Sequence, residues 1–201
     1  NLGMLMVAQG KPDDGLPMLR ESMDMRKRVL GENHPDYPQA VNNFGGLMMG
    51  MKNFAEAERA FRDAAVIRKR ILPPDHPDLT STINNIGGAL YMQGKPAEAE
   101  PFIREALELR RKSLPPTHPY ITGSVRNLGR ILLELDRRDD AEELLLDAYA
   151  AMKSNPETPA SVLASTADEI ASMYEKSNQP DKAATWKALG TPAKSELPSP
   201  K

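Results

Sequence analysis

One interval recurs along this chain and constrains its fold more than any other feature. Asn1, Asn43, Asn85 and Asn127 stand 42 residues apart, and Gly3, Gly45, Gly87 and Gly129 keep the same step. The His-Pro pairs that begin at His34, His76 and His118 keep it too. A fixed period of about 20 to 50 residues marks a stacked repeat, in which each unit buries its apolar face against its neighbours. Such folds present binding surfaces more often than catalytic centres.

Residues 36–77 show one period most clearly. Residues 36–51 read as a first helix and residues 54–72 as a second. In the second, Phe54, Ala57, Phe61, Ala64, Ile67 and Ile71 recur at steps of three or four, which paints one helical face apolar. Gly50-Met51-Lys52-Asn53 is a short turn of the kind that joins antiparallel helices. Pro73-Pro74-Asp75-His76-Pro77 ends the pair, because proline lacks a backbone donor and restricts the residue before it. Pro77 then suits the first turn of the next helix, where a missing donor costs nothing.

The pattern predicts further pairs over 78–93 with 96–114, 120–135 with 138–153, and 159–176 with 180–189. Residues 1–10 read as the remains of a first helix, whose partner spans Pro12 to Leu30. The last pair keeps the phase loosely, with Ala171 and Ala183 at small positions and Glu169 in place of the asparagine. The expected layout is a repeat domain over 1–189 and a disordered tail over 190–201. The opening Asn-Leu-Gly falls inside a repeat, so the chain is expected to be a fragment of a longer one.

A glycine inside a helix costs about 1 kcal/mol relative to alanine. Its recurrence here, doubled at Gly45-Gly46 and Gly87-Gly88, is explained by close approach of helix axes. Ala57, Ala99 and Ala141, and likewise Ala64, Ala106 and Ala148, are small and in phase.

Composition narrows the function. With a net charge of −2, neither nucleic acid nor an anionic membrane is expected as partner. There is no cysteine, hence no disulfide, thiolate nucleophile or zinc-thiolate site, which fits a reducing, cytoplasmic location. No apolar run approaches the roughly 18 residues that a bilayer span needs. No Gly-rich phosphate loop, Gly-x-Ser-x-Gly elbow or Cys/His pair is present, so no enzyme activity and no cofactor are expected. Asp139-Asp140 and Glu142-Glu143 suit a solvated helix start.

Leu2-Gly3 and Leu128-Gly129, the variants Phe44-Gly45 and Ile86-Gly87, and the later pairs Ala57/Phe61 and Ala99/Ile103 resemble the tetratricopeptide repeat. That repeat usually has a shorter period. The step seen here, with Asn-Asn-Phe-Gly or Asn-Asn-Ile-Gly early and Leu-Gly-Glu-Asn-His-Pro-Asp late, is similar to the longer variety in kinesin light chains and many bacterial proteins. The resemblance implies an all-α, right-handed superhelical solenoid of about five antiparallel helix pairs, with the first helices lining a concave groove. It also implies that the asparagine before Leu-Gly holds the backbone or terminal carboxylate of a bound peptide. By position this points to Asn43, Asn85 and Asn127, with Asn42, Asn84, Arg126 and Arg130 beside them.

A carboxamide supplies two donors and an acceptor, so a row of them can pair with an extended backbone of almost any sequence. The competing structural role is to bond neighbouring helices. Tyr91, Met49 and Met92 offer soft apolar contacts, although most of the 11 methionines suit a core. The three histidines are too far apart to share an ion and suit the inter-repeat turn, so no metal site is expected. Arg26-Lys27-Arg28, Arg68-Lys69-Arg70 and Arg110-Arg111-Lys112 end second helices, where cations offset the helix dipole. The expected function is a protein–protein interaction module that binds a peptide or partner protein without catalysis. Two other roles fit the sequence: the regulatory arm of a kinase or protease acting in cis, and a self-associating scaffold.

Overall fold

In the computed structural model, each inter-helix turn of a pair is built the same way. The structure describes residues 2–116 and 118–190. Among them it contains ten α-helices and no strand: α1 (Leu2–Ala8), α2 (Pro12–Leu30), α3 (Asp36–Gly50), α4 (Phe54–Ile71), α5 (Pro77–Met92), α6 (Pro96–Ser113), α7 (Pro119–Glu134), α8 (Arg138–Lys153), α9 (Ala160–Lys176) and α10 (Pro180–Gly190). The helices fall within two residues of the ranges expected from periodicity. The chain forms two compact units, residues 1–112 and 113–201. The tail expected beyond Gly190 lies outside the described residues.

Each turn is a Schellman motif. Lys52 takes a left-handed backbone (φ 60°) and its N–H donates to Met49 C=O at 3.0 Å, while Asn53 N–H reaches back to Met48 C=O at 2.9 Å. Gly10, Gly94, Asp136 and Asn178 occupy the same position with φ of 80°, 74°, 58° and 54°. They make matching bonds to carbonyls three residues back, and the residue after each makes a bond five residues back. Orphan carbonyls at the end of each first helix are thereby satisfied, and the chain reverses within two residues.

Between pairs the histidines open the next helix. Nδ1 of His34, His76 and His118 accepts from the backbone N–H of Asp36, Asp78 and Tyr120 at 3.3, 3.1 and 3.2 Å. This places all three in the inter-repeat turn, as expected, each serving the helix that follows it.

Within each pair, glycine brings the two helices together. A Cβ on Gly45 would lie 2.7 Å from the Phe61 ring, one on Gly87 2.6 Å from Ile103 Cδ1, and one on Gly129 3.0 Å from the Leu145 side chain. Gly3 and Gly15 face each other the same way, each with a Cβ position under 3 Å from the other's carbonyl oxygen. Ala57, Ala99 and Ala141, in phase with Gly15, are fully buried. The doubled glycines divide: nothing lies within 4 Å of a Cβ on Gly46 or Gly88. Close packing therefore accounts for the first glycine of each doublet and not for the second, which corrects the common explanation given to both. The alanine phase also slips in α8, where Ala148 is only half-buried and the adjacent Tyr149 enters the core, edge-on to Trp186 at 4.8 Å.

Gly87→Leu is expected to destabilise the protein by at least about 1–3 kcal/mol through overpacking against Ile103. Gly88→Ala is expected to be neutral or to add up to about 1 kcal/mol of helix propensity. Urea unfolding of the two variants beside the wild type reads this contrast, and equal effects would contradict it.

Candidate functional site

The asparagine pairs on the first helices differ in their hydrogen bonding. In the 1–112 unit, Asn42 Oδ1 accepts from Thr82 Oγ1 at 3.1 Å, and Asn84 Oδ1 accepts from Arg110 Nη1 at 3.1 Å. Both are engaged with another helix, so at these two positions the inter-helix role applies. The following residues behave differently. Asn43 is exposed and accepts only from Gln39 Nε2, one turn earlier on the same helix, at 2.8 Å. Asn85 in this unit and Asn127 in the 113–201 unit are half-buried, and their carboxamides make no hydrogen bond among the described residues.

One turn beyond Asn43 and Asn85 lie Gly46 and Gly88, glycines that packing does not demand. Residues three apart are neighbours on a helix, so each asparagine stands beside bare backbone. Arg130 takes that position next to Asn127. Met49 and Tyr91 are half-buried at the ends of α3 and α5, while the neighbouring Met48 is the core residue and Met92 is half exposed.

Arg126 and Arg130 converge on Glu169 of α9, the residue that replaces asparagine in the 42-residue phase. Arg126 Nη2 donates to Glu169 Oε1 at 3.2 Å, Arg130 Nε donates to Oε2 at 2.9 Å, and Arg130 Nη2 closes a fork on Oε1. Arg126 Nη1 also reaches Ser165 Oγ at 3.5 Å, while its buried Nε has no partner. Burial pushes the Glu169 carboxyl up, but the hydrogen bonds and charges of Arg130 and Arg126 outweigh it and hold the group below the usual carboxylate range. The pairing follows from chemistry: a carboxylate in place of a carboxamide draws the adjacent guanidiniums to itself.

The basic clusters also divide. Lys69, Arg70, Arg111 and Lys112 are exposed at helix ends, as a dipole role requires, whereas Arg68 and Arg110 are buried. Arg68 crosses from α4 to the next pair. It donates from Nη1 to Asp78 C=O at 2.8 Å and to Thr82 Oγ1, and from Nη2 to Gln39 Oε1 at 2.6 Å. Burial lowers its guanidinium from the ordinary value, and the Asp78 carboxylate 3.9 Å away offsets part of that. The dipole explanation therefore fails for these two arginines, which act as links between helices.

Sequence reasoning missed three signals that share the period. One is the left-handed turn position, another is the set of buried hydroxyls at Thr82, Ser124 and Thr166, and the third is the Glu169 fork. All three become visible when residues 42 apart are set side by side for polar as well as small side chains.

Family models described as tetratricopeptide repeat match residues 1–36, 37–112 and 124–147. Among solved structures, the fold is similar to that of the "putative kinesin light chain nearly identical TPR-like repeats" of Podosopora anserina. That pair has a TM-score of 0.82 and 19% identity, covering 94% of this chain and 90% of that one. It is also similar to BtubC (BKLC) from P. vanneervenii, with a TM-score of 0.81 and 18% identity over 94% of this chain and 75% of that one. The apo form of RapI matches with a TM-score of 0.78 and 16% identity over 94% of this chain and 66% of that one. No curated protein sequence matches significantly.

The Glu169 fork has a definite pH signature. Because the folded-state value is lowered, its stabilisation is present above the unfolded value near 4.5 and fades as pH falls through the folded value. Wild type is expected to exceed Glu169→Gln in stability at pH 7, with the difference shrinking below about pH 4. Chemical denaturation at both pH values tests this, and a constant difference would contradict it.

Proposed function

Since the chain belongs to the tetratricopeptide repeat family, and shares the fold of kinesin-light-chain-like repeats, we propose that it is a protein-interaction module whose first helices hold a peptide or partner protein. The observation that carries this reading is the contrast within the asparagine pairs. Asn42 and Asn84 are engaged with other helices, whereas Asn85 and Asn127 keep unused donors and acceptors on the surface. Leaving a half-buried carboxamide unpaired sacrifices hydrogen bonds that a passing peptide backbone can supply.

Gly46 and Gly88 support the same reading, because a helix without side chains beside Asn43 and Asn85 allows another backbone to come close. Met49 and Tyr91 supply the apolar contacts beside them. Asn43 contributes less than Asn85, since its oxygen already accepts from Gln39. Arg126 and Arg130 contribute only if a ligand's acceptor competes with Glu169 for them. The action is recognition without chemistry, with a peptide backbone as the class of ligand.

A peptide-library pull-down with wild type and the Asn85→Ala/Asn127→Ala double variant tests this directly. Binding is expected to weaken by about 1–3 kcal/mol, the cost of leaving buried polar partners unpaired. Gly88→Leu in the same experiment is expected to reduce capture without lowering the melting midpoint. Undiminished capture by all these variants would remove the assignment.

A further inference from the structure

Among the first helices, α3 lacks one hydroxyl that the next ones carry. Residues in phase at the step between pairs are Ala40, Thr82, Ser124 and Thr166. The last three are buried. Thr82 Oγ1 accepts from Arg68 Nη1, and Thr166 Oγ1 lies 3.8 Å from Met152 Sδ, the residue in phase with Arg68. Thr82 also bonds Asp78 C=O at 2.8 Å on its own helix and Asn42 at 3.1 Å across the seam. A second-helix side chain thus reaches a first-helix hydroxyl at the α4–α5 seam and at the α8–α9 seam.

At the α2–α3 seam the phase pairs Arg26 with Ala40, and a methyl group accepts nothing. Arg26 is accordingly 45% exposed where Arg68 is 3% exposed, and its nearest carboxylate is Asp36 at 3.7 Å. A cleft of about 200 Å³ opens there, lined by Leu19, Ser22, Met23 and Arg26 of α2 and by Gln39, Ala40, Asn43 and Phe44 of α3, among others. The outer stripe of α2 remains uncovered: Met25 is 52% exposed, whereas its in-phase counterpart Ile67 is 8% exposed. Met18 and Val29 lie on the same stripe and are also exposed.

We propose that the α2–α3 seam is an unlatched joint, about which the α1–α2 hairpin swings relative to α3 while the α4–α5 seam stays fixed. An interface that lacks its polar link opens at lower free energy than one that has it. The cleft is the space that the link would close. Asn43 lines the same cleft, so on the peptide-binding reading above, the joint sets how much room a ligand finds beside Asn43. The test below reads the joint itself and does not depend on that reading.

Amide hydrogen exchange by mass spectrometry compares wild type with Ala40→Thr, Ala40→Val and Ala40→Thr/Arg26→Met. In wild type, α2 is expected to exchange at least ten-fold faster than α4. Ala40→Thr is expected to slow α2 by about ten-fold, since it restores the acceptor for Arg26. Ala40→Val adds a side chain of similar shape without an acceptor, and Ala40→Thr/Arg26→Met removes the donor, so both are expected to stay close to wild type. The ¹³C methyl resonance of Met23 provides a second reading, narrowing in Ala40→Thr alone. Wild-type α2 as protected as α4 would overturn the proposal, and so would equal slowing by Ala40→Thr and Ala40→Val.

Discussion

The contact between a helical glycine and the side chain opposite it is the constraint from which the rest of this structure follows. With Ile103 2.7 Å or less from where a Gly87 Cβ would stand, α5 and α6 lie closer than any larger residue permits. Gly45 stands as close to Phe61, at 2.7 Å, and Gly129 packs slightly less tightly on Leu145, at 3.0 Å. Because each contact recurs at one interval, the first helices that carry this glycine (α1, α3, α5 and α7) are held at the same rotation against their partners. A residue's place in the 42-residue phase then determines what it faces. The Schellman turns act at the other end of the same problem by reversing the chain in two residues, whether glycine, lysine, aspartate or asparagine occupies the left-handed position.

Fixed rotation is what separates neighbouring residues into different tasks. One step along a first helix turns a side chain by about 100°, enough to move it from a seam to open surface. Asn42 and Asn84 fall on the seam side and bond Thr82 and Arg110, while Asn85 and Asn127 fall clear of such partners. Burying Arg68 is costly by itself, and the Thr82, Gln39 and Asp78 acceptors offset that cost. Such links give repeats a polar register in addition to apolar contact. Glu169 shows the effect of changing one member of the phase: a charge in the asparagine's place gathers Arg126 and Arg130 around itself.

Helix positions, the small-residue contacts and the role of the histidines were legible in the sequence because each depends on local rules repeated several times. Proline, glycine and a stripe of apolar residues act within a few positions of where they stand. What escaped were features whose meaning depends on a partner many residues away. Arg68 reads as a helix-end cation until Thr82 is placed beside it. Gly88 reads like Gly87 until its surroundings are found empty. The slip from Ala148 to Tyr149 in α8 depends on Trp186, which no period foretells. For the candidate site, sequence singled out the asparagine columns, and only the tertiary arrangement separated the engaged members from the unengaged ones.

The division of labour among those asparagines is the central claim, and side-chain amide NMR tests it most directly. In ¹⁵N spectra recorded while a library-selected peptide is added, the carboxamide resonances of Asn85 and Asn127 should shift, while those of Asn42 and Asn84 stay in place. Movement of Asn42 and Asn84 with Asn85 and Asn127 unaffected would contradict the account.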